Sequence, residues 1–404
     1  MVATQSIRQG NSRKVIDGLV KYSDIYNAWS DEPWVNEGAD VRVSLICFTV
    51  KDTGKKKILN GESVNNIYAN LSGGENVDYD LTTAKSCLEN KKIAFQGPVK
   101  VGPFDIAGDI ARDWLIQPNV NGCSNADVLR PWANGGDLTG RNKGKWIIDF
   151  GVDRTEENSA FYELPFLHVL TNVKPKRQEQ ADEGRKTRWW IHGRTGEDFR
   201  NATEEIKRYI ATPRVAKHRF FVWLHSSVLP DSRLFAIARD DDVTFGLLSS
   251  RIHEIWSLAK SSRHGVGNDP TYNAASCFET FPFPVGLTPN LTEEQFDNSQ
   301  SNLIGEIAVR LNNLRSDWLN PMEWTDRIPE VRDRFPDRIV VKSGHENDLK
   351  KRTLTNLYNE SPTWLKNVQA ELNEAVANAY GWPVNLSENK ILSNLLELNY
   401  ERTK

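Results

Sequence analysis

The chain has 404 residues, and at about 150 residues per domain that length holds two to three domains. Apolar residues at 39% and charged residues at 26% exclude global disorder. The net charge of −3 excludes a globally basic nucleic-acid coat, so any nucleic-acid surface has to come from local clustering.

The longest apolar runs, such as Val43 to Val50, are strand-sized, and a membrane-spanning helix needs about 20 apolar residues. The N-terminus, MVATQSIRQG, has no apolar stretch behind a basic start, so no secretory signal is visible. Cys47, Cys87, Cys123 and Cys277 are far apart and lack the spacing of a zinc site. Four reduced thiols in a cytoplasmic protein without membrane contact are the expectation. Thirteen tryptophans against two methionines imply a rigid, aromatic-rich architecture.

In chain order, Val2, Ala3 and Ile7 read as a strand end followed by a turn. Ser12 caps a predicted helix through Val20, with Val15, Ile16, Leu19 and Val20 on one face. Ile25, Tyr26 and Ala28 read as a short strand broken at Ser30-Asp31-Glu32-Pro33. Val41 to Lys51 is the clearest strand. These elements are too few to bury both faces of an α/β sheet, so 1–52 is expected to be the C-terminal end of a larger domain. Residues 53–90 read as a polar connector. Over 91–286, short β runs (Ile93–Phe95, Trp146–Phe150, Phe220–Leu224, Leu234–Ala238) alternate with turns, and Glu197–Tyr209 and Phe245–Leu258 read as helical. That texture is mixed α+β. Residues 287–404 read as helical: a capping box at Thr292–Gln295 precedes Leu303 to Leu314. Ser361-Pro362 and Gly381 bracket a helix, and Ile391 to Leu396 carry the last.

Few motifs carry chemistry. Gly265-Val266-Gly267 lacks the strand-to-helix setting of a nucleotide loop, and no P-loop occurs. Asp240-Asp241-Asp242 reads as a solvated turn or cap, with metal binding the rival. His253 and His264 lie near acidic residues, and no G-x-S-x-G elbow makes either a triad member, so a structural or DNA-contacting role is preferred. Charge clustering is more informative. Between Thr171 and His225 there are 13 Lys and Arg against 7 Asp and Glu, a local +6. Trp189, Trp190, Tyr209, Phe220 and Phe221 interleave with it, and Arg141, Lys143 and Lys145 form a second basic stretch. Cations beside aromatic platforms suit phosphate contacts with base stacking. A solvated basic face over buried aromatics explains the same pattern.

Several segments together resemble a known family. Val2 to Ser6, followed by Ile7-Arg8-Gln9-Gly10-Asn11 and Arg13-Lys14-Val15, resembles a late segment of an amino-methyltransferase domain, and Val41 to Phe48 resembles a later strand of it. Leu129 to Leu138 with Trp146 to Gly151 resembles the start of the target-recognition domain of MmeI-like DNA methyltransferases. Tyr209 to Arg219 and Phe278 to Pro284 continue it, and Leu354–Tyr358 to Ala379–Pro383 resembles their C-terminal part. The resemblance implies a fold of α/β plus α+β class: the end of a Rossmann-like methyltransferase domain (1–52), a mixed α+β target-recognition domain (91–286) and a helical C-terminal region.

It also implies a site-specific DNA adenine-N6 methyltransferase of restriction–modification type that uses S-adenosylmethionine and binds double-stranded DNA. The family's (Asn/Asp/Ser)-Pro-Pro-(Tyr/Phe) motif has no counterpart, since the sequence contains no Pro-Pro dipeptide, and no Gly-rich cofactor loop is found. Catalytic and cofactor residues therefore have no positions to land on here. The chain is expected to be inactive alone and to work with the first part of a methyltransferase domain. A stand-alone specificity subunit and an inactive truncated product are the alternatives. The expected DNA-binding residues are Arg141, Lys143, Lys145, Arg188, Trp190, Arg194, Arg208, Arg214, Lys217, His218 and Arg219.

Overall fold

A computed structural model describes all residues except 9, 37, 38, 51–53, 55, 72, 74–79, 265–268 and 297. The Gly265-Val266-Gly267 loop and part of the expected connector lie outside the described residues.

The first five strands form one sheet: β1 (Val2–Thr4), β2 (Asp24–Asn36), β3 (Ala39–Thr49), β4 (Lys57–Leu59) and β5 (Glu62–Val64), in the order β1-β3-β2-β4-β5. Helix α1 (Gly10–Leu19) starts two residues before Ser12. The alternation of β3 sends Ile46 to one face, where it meets Ala28, Ile25 and Leu59, with Ile7 and Ile16 closing a small core. Two departures from the sequence reading stand out. The stretch read as a connector supplies β4 and β5, and Ile67, Ala69 and Leu71 join this core. Ser30–Pro33 does not break β2. Its side away from β3 is paired with β4 only at Asn27 and Ala28, so Pro33 removes no ladder bond there, and a register shift between Trp29 and Glu32 absorbs the irregularity.

The opposite face of this sheet carries Trp29, Leu45, Cys47 and Ile58, placed together by the pairs Trp29↔Leu45, Asn27↔Cys47 and Asn27↔Ile58. They are half-buried or exposed.

The remainder holds two four-stranded sheets. One runs β11 (Val222–His225), β10 (Arg208–Pro213), β13 (Leu234–Ile237), β6 (Ala94–Gln96), antiparallel throughout. The other runs β12 (Leu229–Pro230), β8 (Leu129–Ala133), β9 (Trp146–Ile148), β7 (Asp105–Ile106). Helices α2 (Gly108–Ile116), α3 (Gly135–Thr139), α4 (Glu156–Ala160), α5 (Glu163–Asn172), α6 (Lys174–Gln178), α7 (Glu183–Thr187) and α8 (Glu197–Ala202) fill the intervals. The helix expected over Glu197–Tyr209 stops at Ala202, because Tyr209 and Ile210 are drawn into the central strand β10. Phe245–Leu258 is two helices, α9 (Asp242–Ser249) and α10 (Arg251–Lys260), split where the Ser250 side chain accepts from the His253 N–H and caps the second. A two-stranded turn, β14 (Arg263–His264) with β15 (Asp269–Pro270), follows.

C-terminal to these, the long helix α11 (Asn298–Leu319) packs on α9. The hairpin β16 (Thr325–Ile328) and β17 (Arg338–Val341) interrupts the stretch read as helical, before α12 (Glu346–Lys351), α13 (Leu354–Glu360), α14 (Thr363–Ala379) and α15 (Glu388–Arg402). The Thr292 capping box forms, but on a short 3-10 turn ahead of α11. Pro362, not Ser361, caps α14, and Ser361 ends α13 in the left-handed region. One continuous core joins Tyr209, Ile237, Phe245, Ile304 and Leu372, so the sheets and the C-terminal helices share their interior. Asn399 on α15 ties residues 80–90 to this body. Its side-chain amide donates to Lys85 O and Thr280 O, both 2.8 Å, and accepts from Lys85 N.

Candidate nucleic-acid interface

Between the N-terminal sheet and the larger body lies a cleft of about 1770 Å³. Small-molecule sites are usually about 300–1,000 Å³, so this one suits a larger ligand. Arg8, Arg13 and Arg42 line one side, and Arg214, Arg233 and Lys260 the other, while no Asp or Glu lines it among the described residues. Arg13, Arg42 and Arg233 have carboxylate partners outside the lining: Asp17 at 3.1 Å, Asp31 at 2.6 Å and Asp231 at 3.7 Å. Arg214 is exposed, and its guanidinium makes no hydrogen bond or ion pair with the described residues. Its position follows from strand pairing. It leaves the end of β10, and its N–H donates to Arg233 O at 2.7 Å, which sets the two guanidinium groups on neighbouring chain segments. Lys260, at the end of α10, donates to Leu81 O at 2.7 Å, and burial pushes its pKa down to about 8.

The eleven residues expected from sequence are spread widely, and Arg214 is the one among them that lines this cleft. Arg219 is buried, its guanidinium donating to Thr212 Oγ1, Pro213 O and Pro270 O, so it knits β10 to β15 rather than facing solvent. Arg141 donates to Leu319 O, Arg352 O and Asn320 Oδ1, which holds its loop to the C-terminal helices. Lys217 and His218 both meet Asn359 Oδ1, at 2.6 and 2.9 Å. Arg208 lies over Trp223 and pairs with Asp242 at 2.9 Å. Lys145 pairs with Asp105 at 2.7 Å, Arg194 bonds Gln96 at 2.8 Å, and Arg188 reaches Val152 O. Lys143 is exposed on its loop.

The aromatics expected as stacking platforms are interior groups. Trp189, Tyr209, Phe220 and Phe221 are buried, and Trp190 is half-buried with its indole N–H on Arg154 O at 2.8 Å. The aromatics of this window belong to the core, while its basic residues divide between the interior, as Arg177 and Arg219 do, and the surface.

Sequence reasoning missed Arg8, Arg13, Arg42, Arg233 and Lys260. They are dispersed over 250 residues of chain, and no window count detects a patch that only folding assembles.

The acidic and histidine groups singled out earlier also have structural roles. Asp241 accepts from the Thr244 N–H and hydroxyl and caps α9, and Asp242 pairs with Arg208. His253 is buried with Nε2 at 3.0 Å from Tyr272 OH, and burial first, then Arg219, pushes its pKa down to about 3. The His264 side chain lies outside what is described. Asp149, in the Trp146–Gly151 segment, is fully buried between Arg200, which donates twice at 2.8 Å, Arg130 at 3.8 Å and His192 at 4.0 Å. Burial alone would raise its pKa. Arg200, His192 and Arg130 outweigh that and hold it well below the usual carboxylate range. No group of three His, Cys, Asp or Glu among the described residues could hold a metal ion. No helix among them is long and apolar enough to cross a membrane.

Compared with solved structures, the chain shares its fold with part of one restriction–modification enzyme. It is similar to the Type IIL restriction-modification enzyme MmeI, solved in complex with DNA, with a TM-score of 0.69 and 19% identity over 100% of this chain and 49% of that one. The chain therefore spans about half the length of MmeI. The type IIG restriction endonuclease BpuSI aligns at a TM-score of 0.28 and 10% identity, over 100% of this chain and 47% of its own. No protein-family model and no curated protein matches the chain.

Proposed function

We propose that this chain is the sequence-recognition part of a site-specific DNA adenine-N6 methyltransferase of restriction–modification type, and that it holds duplex DNA in the cleft between its two bodies. The observation that carries this is the cleft lining: among the described residues, six cations and no carboxylate in a chain of net charge −3. Such a surface fits a polyanion, with phosphates positioned by Arg and Lys. The likeness in fold to an enzyme solved with DNA supports the same assignment.

The residues present do not fit S-adenosylmethionine. A nucleoside ribose is usually held by a carboxylate and the cofactor by a Gly-rich strand-to-helix turn. Among the described residues the cleft has no carboxylate, and the turn from β1 to α1 reads QSIRQG, with one glycine. The partner would be a methyltransferase part carrying the cofactor loop and the Pro-Pro motif. The half-exposed Trp29, Leu45, Cys47 and Ile58 face of the N-terminal sheet is suited to receive it.

Two measurements test the proposal. Selection from a random duplex library with the purified chain should enrich one short sequence; recovery of an unenriched pool contradicts a recognition role. Labelled methyl transfer from S-adenosylmethionine to mixed-sequence duplex should stay at background, and turnover by the chain alone contradicts the division of labour.

A further inference from the structure

The hairpin of β2 and β3 outruns its sheet. β1 accompanies β3 only as far as Val43, and β4 accompanies β2 only at Asn27 and Ala28. Past those points, the pairs Pro33↔Arg42 and Trp34↔Val41 continue as a two-stranded ribbon, with no third strand beside them among the described residues. Pro33, Trp34, Val35, Val41 and Arg42 of this ribbon line the basic cleft.

Trp34 is 45% exposed, whereas the other twelve tryptophans are buried or half-buried, and Val35 beside it is 70% exposed. Tryptophan is on average highly buried, so an indole left in water at the rim of a cleft marks a surface that a ligand covers. The ribbon that presents it is braced. Pro33 fixes its own φ, and Arg42 donates across the ribbon to Asp31 Oδ1 at 2.6 Å and Asp31 O at 2.7 Å. The occupant is set by charge. A cleft lined, among the described residues, by six cations and no carboxylate takes a polyanion, and an aromatic ring among cations suits phosphates with bases between them.

A two-stranded ribbon fits the major groove, and apolar side chains that enter a base step unstack it. We infer that Trp34 is a stacking wedge: the ribbon carries its indole into the base stack of the duplex held in the cleft and opens one step. This rests on the DNA-binding function proposed above and adds to it a residue and a mode of recognition.

The test uses the full chain and duplexes carrying 2-aminopurine at successive positions, a base whose fluorescence rises when it is unstacked. With the parent chain, fluorescence should rise at one step and remain low elsewhere. Trp34→Ala should abolish the rise and weaken binding about 5- to 150-fold, the range for loss of one base–aromatic stack. Its salt dependence should be unchanged, because no charge is removed. Trp34→Phe keeps a ring and should restore most of both signals. Parent-like affinity and fluorescence in Trp34→Ala, or no rise at any position with the parent, overturns the wedge while leaving DNA binding intact. Failure of the parent chain to bind duplex at all overturns the DNA-binding function and the wedge with it.

Discussion

Asp149 shows how a single residue can matter without touching a ligand. It is a buried carboxylate whose charge is balanced by Arg200 and Arg130, both held in turn by backbone carbonyls: Arg200 on Thr195 O, Arg130 on Ser226 O and Ser227 O. Removing one partner of a buried ion network leaves uncompensated charge, at a cost of about 3–5 kcal/mol. Asp149→Asn should lower unfolding stability by that amount in urea titration; a loss within the noise of a surface substitution contradicts the network's role. His253 sets a pH limit. Its folded pKa of about 3 lies below its ordinary 6.5, so the unfolded chain takes the proton first as pH falls. Its contribution is complete above pH 6.5 and is lost progressively towards pH 3, on the order of 3 kcal/mol by pH 4. His253→Gln should flatten the stability slope between pH 6.5 and 4, and an unchanged slope would place the titration elsewhere. Lys260 works at the other end of the scale. With a pKa of about 8, it sheds its charge as pH rises through that value. Affinity for duplex DNA should fall between pH 7 and 9 by more in the parent than in Lys260→Gln.

Among the elements, those with local signals were legible in sequence and those decided by pairing were not. β3 announced itself by an apolar run, and the short strands β6, β9, β11 and β13 fell where β-rich runs sit between turns. β2 was not legible at its full length, because Pro33 is a breaker only where a ladder bond is needed, and edge status is a property of the sheet. Tyr209 was misassigned for a related reason: its strand exists because β11 and β13 flank it. The packing of α9 against α11 was invisible, though Gly246 marks it. A Cβ there would meet Ile304 Cγ2 at 2.7 Å and Ala308 Cβ at 3.2 Å. Gly246→Ala should therefore destabilise the protein by about 1–3 kcal/mol through overpacking, despite the helix propensity that alanine adds. A raised melting temperature would show that the helices part freely. The N-terminal sheet rests on a core of ten of the described residues with one face half-exposed, so its amides should exchange faster than those of β10 and β13. Protection of β3 equal to that of β10 contradicts this.

For the whole molecule, the cations proposed to meet DNA are assembled by the fold from segments far apart between Arg8 and Lys260. The +6 window between Thr171 and His225 lies mostly away from the cleft, with Arg214 the one cation they share. Arg219, Arg141 and Arg208 brace the architecture, and of the expected set Arg214 meets the cleft. The family resemblance carried further than the charge pattern because it joined segments distant in sequence, as the fold does. The central claim is that the cleft holds duplex DNA through phosphate contacts, and the dependence of binding on salt tests it most directly. The parent chain should lose affinity steeply as salt rises, with a slope of about −0.9 per phosphate contact in a plot of log K against log salt. The double variant Arg214→Gln/Arg233→Gln, which alters the two most solvent-facing cations of the cleft, should flatten that slope by about 2 while keeping the parent's melting temperature. A parent chain that binds without salt dependence, or a double variant with the parent's slope and affinity, contradicts the account.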